Sequence, residues 1–229
     1  SSWPTCHVPF KKTDLSRYLA TMPSAIRGKN MVVAEQGPAG KCLETLVERW
    51  LRTSPEGARI EAEEERFLEL TSGAAAVPAG SKNLIFLPWL NGPGPPVSDS
   101  YVRGGFLNQT LEHDAAHAFR AVMEGVAYNV RWLTSAVERL IGHPFPSLSF
   151  IGGGARSELW WQIFSDVRHR PIHQVQEPTW AIVRGAAFAG LLALGHTDLA
   201  TVARCVNISR TYTPSPENRQ VYDELFQVF

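Results

Sequence analysis

Residues 149–157 read Ser-Phe-Ile-Gly-Gly-Gly-Ala-Arg-Ser, and this stretch decides the fold. The Phe-Ile pair suits a buried strand, because aromatic and β-branched side chains are favoured in strands. The three glycines allow backbone conformations closed to other residues and let a ligand come close. Apolar residues then recur at three- and four-residue spacing from Leu159 to Val167, which predicts a helix capped at Ser157. A strand, a glycine turn and a helix start together direct backbone N–H groups at an anion.

Strands and helices alternate along the rest of the chain, which predicts an α/β fold. The predicted strands are residues 3–9, 29–35, 84–87, 171–175 and 208–212. The predicted helices are residues 40–50, 60–72, 114–141, 179–194, 198–204 and a C-terminal helix from Ser215. Residues 60–72 are acidic, which favours a solvated surface helix, and residues 73–80 are expected to form a connector. Residues 179–194 are rich in alanine and glycine, and such small side chains let a helix lie close against a sheet or another helix.

Composition excludes several classes of function. The chain has 229 residues, of which 44% are hydrophobic, and its 22 basic residues equal its 22 acidic ones. A formal net charge of zero gives no electrostatic attraction for nucleic acid or an anionic membrane. No apolar run approaches the roughly 20 residues that span a bilayer, and no signal peptide is evident. Three widely spaced cysteines argue against a disulfide scaffold or a zinc site. We therefore expect a soluble cytoplasmic protein.

Two motifs each allow a functional and a structural interpretation. His113 and His117 imitate the histidine spacing of a zinc helix, but the first lies where a helix should begin, and a helix start is the preferred interpretation. The series Gly152-x-Gly154-x-x-Ser157, followed by Glu177, approximates a dinucleotide fingerprint whose third glycine is missing. A dinucleotide-binding oxidoreductase domain and a simple tight turn both remain open on these residues.

Two further segments carry candidate chemistry. Residues 37–40, Gly-Pro-Ala-Gly, are a second glycine-bearing helix start, and two such starts in one α/β chain suggest a phosphate clamp. Arg103, just before a glycine pair, could reach an acidic partner. Glu124 and Gly125 stand inside an apolar helix, where a glycine costs about 1 kcal/mol against alanine. Close packing at this glycine and a buried glutamate–arginine pair form the structural alternative to a catalytic role.

Together these segments resemble the C-terminal half of the FGGY carbohydrate kinases, most closely the xylulokinase-like members. The matching segments are Leu84–Gly92, Arg103–Phe106 with Glu124–Ala127, Gly152–Ser157 with the following Trp-Trp-Gln-Ile and Ser-Asp, and the helix around Gly185–Ala187. Their order and spacing agree with the family across roughly residues 29–229, whereas residues 1–28 match more loosely. The resemblance makes residues 1–229 a single C-terminal nucleotide-binding domain.

The resemblance implies an actin-like, ribonuclease-H-like ATPase fold and a kinase that uses ATP with Mg²⁺ and a sugar or polyol. By analogy, Gly153, Gly154 and Ala155 lie against the adenosine, with Ser157 or Glu158 near the base. Gly40 resembles the glycine near the phosphates, and Glu44 takes the place of a nearby nucleotide contact.

The resemblance also implies what this chain lacks. The family's catalytic aspartate and most of its sugar contacts lie in an N-terminal half upstream of Ser1, so no catalytic residue and no metal site is assigned here. We therefore expect no kinase activity from the chain alone.

Three positions depart from the family. Residues 92–96, Gly-Pro-Gly-Pro-Pro, replace Gly-Glu-Arg-Thr-Pro, and Asn108-Gln109 replaces a glycine and an aliphatic residue. Glu44 stands where an amide is frequent, and its carboxylate would repel polyphosphate unless Mg²⁺ intervenes. These departures leave open which sugar is the substrate and whether the chain is a non-catalytic remnant of the family. A homodimer is a separate open alternative.

Overall fold

The computed structural model describes residues 2–51, 60–152 and 157–229. The strands are β1 (His7–Val8), β2 (Thr13–Asp14), β3 (Leu19–Pro23), β4 (Asn30–Val33), β5 (Ile85–Leu87), β6 (Gly105–Leu107), β7 (Leu148–Phe150), β8 (Ile172–Val175) and β9 (Ile208–Tyr212). The helices are α1 (Gly40–Thr45), α2 (Ile60–Ala76), α3 (Ala115–Ile141), α4 (Glu158–Arg168), α5 (Ala181–Ala193), α6 (Leu199–Arg204) and α7 (Arg219–Val228). The mixed α/β content confirms the predicted class.

Helix α3 is the centre of the molecule. Asp114 caps its start by accepting a hydrogen bond from the backbone N–H of His117 at 3.0 Å, and Gly142 ends it at a φ of 83°. One hydrophobic cluster lies between α3 and the antiparallel sheet β1-β4-β3-β2, and a larger one joins α3 to α1, α2, α4, β5 and α7. The long predicted helix is thus confirmed, and it holds both parts of the core together.

The sheet near the N-terminus contains more strand than the sequence predicts. Strands β1 and β4 confirm the two predicted segments in shorter form, but β2 and β3 fall in the segment between them that showed no strand pattern. Leu19 and Val32 are buried against α3, and the register pairs Thr21 with Val32. Because only alternate residues of so short a strand reach the core, the apolar signal of β3 is weak in the sequence.

Strand β7, which holds the first two residues of the stretch quoted at the outset, is the edge of a second sheet ordered β7-β8-β9. Strands β7 and β8 are parallel, joined through α4, and β9 is antiparallel to β8. Helix α4 buries Trp160, Trp161 and Ile163 beneath this sheet. The strand ends at Phe150, and Ile151 is 52% exposed, so the expectation that Ile151 lies in a buried strand is wrong. The turn begins directly at Gly152, which has a φ of 98°.

Helix α2 is longer and better packed than predicted. It continues to Ala76, through residues expected to form a connector, and its Leu70 and Ala74 are buried against α3. Gly73 lies within it, and a Cβ at this position would stand 3.2 Å from Cβ of Ala116. The predicted surface helix is thus confirmed with one face packed on α3, and the expectation of a connector is wrong for residues 73–76.

Glu124 of α3 lies at the centre of a buried polar network. Its carboxylate accepts hydrogen bonds from the N–H of Gly80 at 3.0 Å and the hydroxyl of Ser81 at 2.8 Å. Arg120 donates to it at 2.8 Å, and the Tyr222 hydroxyl donates at 2.9 Å. A buried charge with this many partners is fully compensated. The structural interpretation of Glu124 as half of a buried ion pair is thus confirmed.

Gly125 confirms the close packing that the structural interpretation predicted at this residue. A Cβ at this position would collide with the backbone carbonyl oxygen of Phe86 in β5. Only glycine therefore lets β5 cross the helix this closely, and the contact offsets the low helix propensity of the residue.

Helix α5 does not pack closely against the other described elements of this chain. None of its residues is buried, and Ile182 and Val183 are 69% and 61% exposed. Trp180 before it and Leu194 after it are also exposed, which extends the apolar surface of the helix. We call helix α5 together with Trp180 and Leu194 the α5 face.

Among the described residues, no helix is long and apolar enough to cross a membrane.

Candidate functional site

The start of α1 has the features of an anion site. No side chain caps this helix, and the first hydrogen bond runs from the N–H of Cys42 to the carbonyl oxygen of Ala39 at 2.9 Å. A Cβ built at Gly40 would meet nothing within 4 Å, and the residue does not have a positive φ. Neither packing nor backbone conformation therefore requires glycine there. The uncapped amides and the open space leave room for a ligand against the backbone.

The charged residues of α1 are paired with each other. The Lys41 ammonium lies 2.7 Å from a carboxylate oxygen of Glu44, and both side chains are exposed. The hydrogen bond to Glu44 is the main cause that raises the pKa of Lys41. The negative charge of Glu44 is thereby partly neutralised within the helix, which reduces the repulsion that its carboxylate would exert on a phosphate.

The helix is anchored behind this pair. After Thr45 it continues as a π-helical segment, Leu46–Trp50, and its Leu43 and Leu46 are buried in the larger cluster. Trp50, predicted on the buried face, is half exposed and packs edge-on against the rings of Phe86 and Phe106.

The start of α4 differs, because it is already capped. Ser157 accepts a hydrogen bond from the N–H of Trp160 at 3.3 Å, as the sequence predicts. The Glu158 carboxylate lies 2.7 Å from the guanidinium of Arg210 in β9, and it is exposed. Gly153, Gly154 and Ala155, predicted on the adenosine side, lie outside the described residues.

The two predicted parts of the site share a support. Both α1 and α4 pack on α3, so one rigid helix fixes the position of each. Within the described ranges, no hydrogen bond or ion pair links residues 40–44 to Ser157 or Glu158. That the two starts converge on one anion stays a prediction.

The remaining candidates have local roles. The ring Nδ1–H of His117 donates at 2.7 Å to the Asp114 carboxylate that caps α3, so the interpretation of a helix start is confirmed. Arg103 donates to the backbone carbonyl oxygens of Ser100 and Val102, and it holds its own loop. In the described ranges, no three His, Cys, Asp or Glu residues are grouped as metal ligands.

Sequence reasoning missed Gln36. This residue follows β4, is 1% exposed and donates two side-chain hydrogen bonds, to Pro95 and Asn129. The only signal in the sequence is an amide directly before the Gly-Pro-Ala-Gly segment. Its partners are far away along the chain, so local periodicity could not identify them.

Comparisons with known proteins assign the class. The family model described as "FGGY family of carbohydrate kinases, C-terminal domain" matches residues 19–194. The xylulose kinase of Staphylococcus epidermidis is 30% identical over 169 residues, covering 73% of this chain and 34% of that protein. The gluconokinase of Bacillus subtilis is 31% identical over 189 residues, covering 80% of this chain and 37% of that protein.

A solved structure agrees with these relatives. The xylulose kinase from Rhodospirillum rubrum superposes with a TM-score of 0.76 at 29% identity, covering 98% of this chain and 43% of that one. The chain spans about a third of the length of the two curated relatives.

The chain therefore belongs to the FGGY family of carbohydrate kinases. More particularly, the matched region is the family's C-terminal domain, and its fold is the actin-like ATPase fold of those kinases. The alternative of a dinucleotide-binding oxidoreductase is not supported, since the family match includes both the glycine turn and Glu177.

Proposed function

We propose that this chain is the nucleotide-binding half of an ATP-dependent carbohydrate kinase, which transfers a phosphoryl group to a hydroxyl of a sugar or polyol. Family membership supports the reaction class. A relative named xylulose kinase and a solved structure of a xylulose kinase support a xylulose-like sugar as the substrate. The gluconokinase relative keeps a sugar acid as the second choice.

The observation that carries the proposal is the start of α1. Gly40 leaves open space beside amides that no side chain caps, and the ammonium of the next residue, Lys41, is paired with Glu44 on the same helix. The open, uncapped amides suit the phosphates of a nucleotide, because oriented N–H groups stabilise negative charge, while the pairing with Lys41 reduces the repulsion from Glu44.

The predicted residues, with Lys41 added from the structure, then have distinct tasks. The amides at Gly40 bind phosphate oxygens, Lys41 stabilises their charge, and Glu44 holds the Lys41 side chain in place. Bound ATP supplies the phosphoryl group, and Mg²⁺ offsets part of the charge on its phosphates. Gly153–Ala155, with Ser157 and Glu158, form the adenosine side; Arg210 orients the Glu158 carboxylate by its 2.7 Å ion pair.

The other half of the kinase supplies the base that accepts the proton of the attacking hydroxyl. Exposed apolar side chains on the α5 face support a second part of the enzyme packed there, since contiguous exposed apolar patches mark interaction sites. The match to only 43% of the R. rubrum chain supports the same division. We propose that the N-terminal half covers the α5 face.

Calorimetric titration of the chain with Mg·ATP and, separately, with NADH tests the nucleotide proposal. Mg·ATP is expected to bind and NADH is not. Gly40→Val should weaken Mg·ATP at least about tenfold, because its side chain fills the space for the phosphates. Gly190→Val in α5 is the matched control, since a Cβ at Gly190 also meets nothing within 4 Å. Equal affinity of both variants, or tighter binding of NADH, would contradict the proposal.

A further inference from the structure

The proline-rich loop of residues 91–97 lies directly on the backbone that leads into α1. A Cβ at Gly94 would stand 3.0 Å from the carbonyl oxygen of Glu35 and 3.2 Å from Cα of Gln36. A Cβ at Gly37 would stand 3.8 Å from the carbonyl oxygen of Gly92. The loop and the segment 35–37 therefore touch backbone to backbone, and the absence of a side chain at Gly94 makes the contact possible.

The Gln36 side chain fastens this contact. Its Nε2 donates to the carbonyl oxygen of Pro95 at 3.1 Å and to that of Asn129 at 2.8 Å. The Asn129 side chain accepts at 3.2 Å from Nε1 of Trp89, which lies two residues before the loop. One buried amide thus connects three parts of the molecule: the end of β4, the loop and α3.

The energetics indicate that this residue serves more than stability. Gln36 Oε1 is buried, and none of the described residues donates a hydrogen bond to it. A buried acceptor without a partner is unfavourable, because it loses its hydrogen bonds to water and gains none in the protein. An apolar side chain of similar length would avoid this cost, but it would lose both donated hydrogen bonds. The glutamine amide provides both hydrogen bonds from one side chain, to Pro95 of the loop and to Asn129 of α3, and we call this pair of bonds the attachment.

The attachment acts on the candidate phosphate site through a short connection. Only Gly37, Pro38 and Ala39 separate Gln36 from Gly40. Pro38 restricts the backbone within this connection, and its carbonyl oxygen accepts from the buried Cys42 thiol at 3.2 Å. Because α1 has no side-chain cap, the position of its first amides depends on how the preceding segment is held.

We propose that Gln36 and the loop of residues 91–97 position the Gly37–Gly40 segment for the phosphates of the nucleotide. This inference rests on the proposed function for the identity of the ligand. Gln36 is a positioning residue, because it acts through the backbone of Gly40 and is itself too buried to contact a ligand. The loop that departs from the family's charged sequence thus has a mechanical task in this chain.

The test compares Mg·ATP with adenosine, which lacks phosphates. Gln36→Leu and Gly94→Ala should each weaken Mg·ATP at least about tenfold and leave adenosine affinity within about twofold. Gln220→Leu, on the exposed face of α7, and Gly105→Ala, where a Cβ meets nothing within 4 Å, are matched controls that should change neither affinity. Unchanged Mg·ATP affinity in the first two variants, or an equal loss for both ligands, would overturn the inference.

Amide hydrogen exchange separates this inference from the proposed function. In the unliganded chain, Gln36→Leu should accelerate exchange across residues 37–42, while Gln220→Leu should not. Failure of the wild-type chain to bind Mg·ATP would refute the proposed function and the phosphate role together. Unchanged exchange at residues 37–42 would refute the attachment itself, whatever the ligand.

Discussion

At the scale of single residues, two buried tyrosines differ in their hydrogen bonding: Tyr128 of α3 and Tyr222 of α7, whose rings are in contact. The Tyr222 hydroxyl donates to Glu124 and accepts from Arg120 at 3.1 Å. The Tyr128 hydroxyl is equally buried, yet no described residue is its hydrogen-bond partner. Burial raises the pKa of both hydroxyls, so both remain protonated at physiological pH. The difference between them is therefore one of hydrogen bonding alone.

Removing each hydroxyl should have opposite consequences. Tyr222→Phe is expected to lower the free energy of unfolding by about 1–3 kcal/mol, because Glu124 and Arg120 each lose a buried partner. Tyr128→Phe should change it by no more than about 0.5 kcal/mol or raise it, since an unpartnered buried hydroxyl is removed. Urea titration of both variants measures the difference, and equal losses would show that Tyr128 has a partner.

At the scale of elements, α3 and α5 have opposite environments. Helix α3 is buried on several sides, whereas no residue of α5 is buried. Arg184, the only charged residue of α5, donates to the backbone of Gln176 at 2.5 Å and pairs with Glu177. The exposed side chains of the α5 face are therefore apolar, which suits a hydrophobic partner.

Hydrogen exchange should reveal this contrast in the isolated chain. Amides of α5 are expected to exchange at least about tenfold faster than those of α3, because few apolar contacts oppose local opening of α5. If the amides of α5 were as well protected from exchange as those of α3, the α5 face would not be uncovered in the isolated chain. Measurement at two protein concentrations supplies the control: protection that rises with concentration would identify a second copy of this chain, instead of the N-terminal half, as the occupant.

At the scale of the whole molecule, aspartate caps connect stability to pH. Asp14, Asp114 and Asp198 each cap a helix through a side-chain oxygen. Backbone hydrogen bonds are the main cause that lowers the pKa of Asp114 and Asp198, and the Ser16 hydroxyl is the main cause for Asp14. Because folding lowers these pKa values, the ionised carboxylates stabilise the fold at pH values above their unfolded-state pKa of about 3.9.

The melting temperature should therefore decrease as the pH falls below about 4 and through the folded-state pKa values of these groups. These carboxylates are expected to change the melting temperature little between pH 5 and 7. The double variant Asp114→Asn, Asp198→Asn retains capping oxygens but cannot titrate, so it should lose less of its melting temperature in acid. Parallel acid profiles of the wild type and the variant would contradict the role of these caps.

Local sequence was sufficient for several elements. Asp114 and Gly142 frame α3, whose apolar residues recur at helical spacing, and strand β9 begins and ends where its pattern predicts. The sequence also places the cap of α4 at Ser157 or its neighbour, and the structure shows that it is Ser157. These features depend on neighbours within one or two turns, which the sequence displays directly.

The candidate site divides between what the sequence by itself determined and what only the tertiary structure decided. The sequence determined the family segments, the two glycine-bearing helix starts and the α/β alternation. The tertiary structure decided that α5 is uncovered and that Gln36 joins the end of β4 to the loop and α3. Gln36 and Asn129 are 93 residues apart, and such contacts form only when separate elements pack, so no local pattern can encode them.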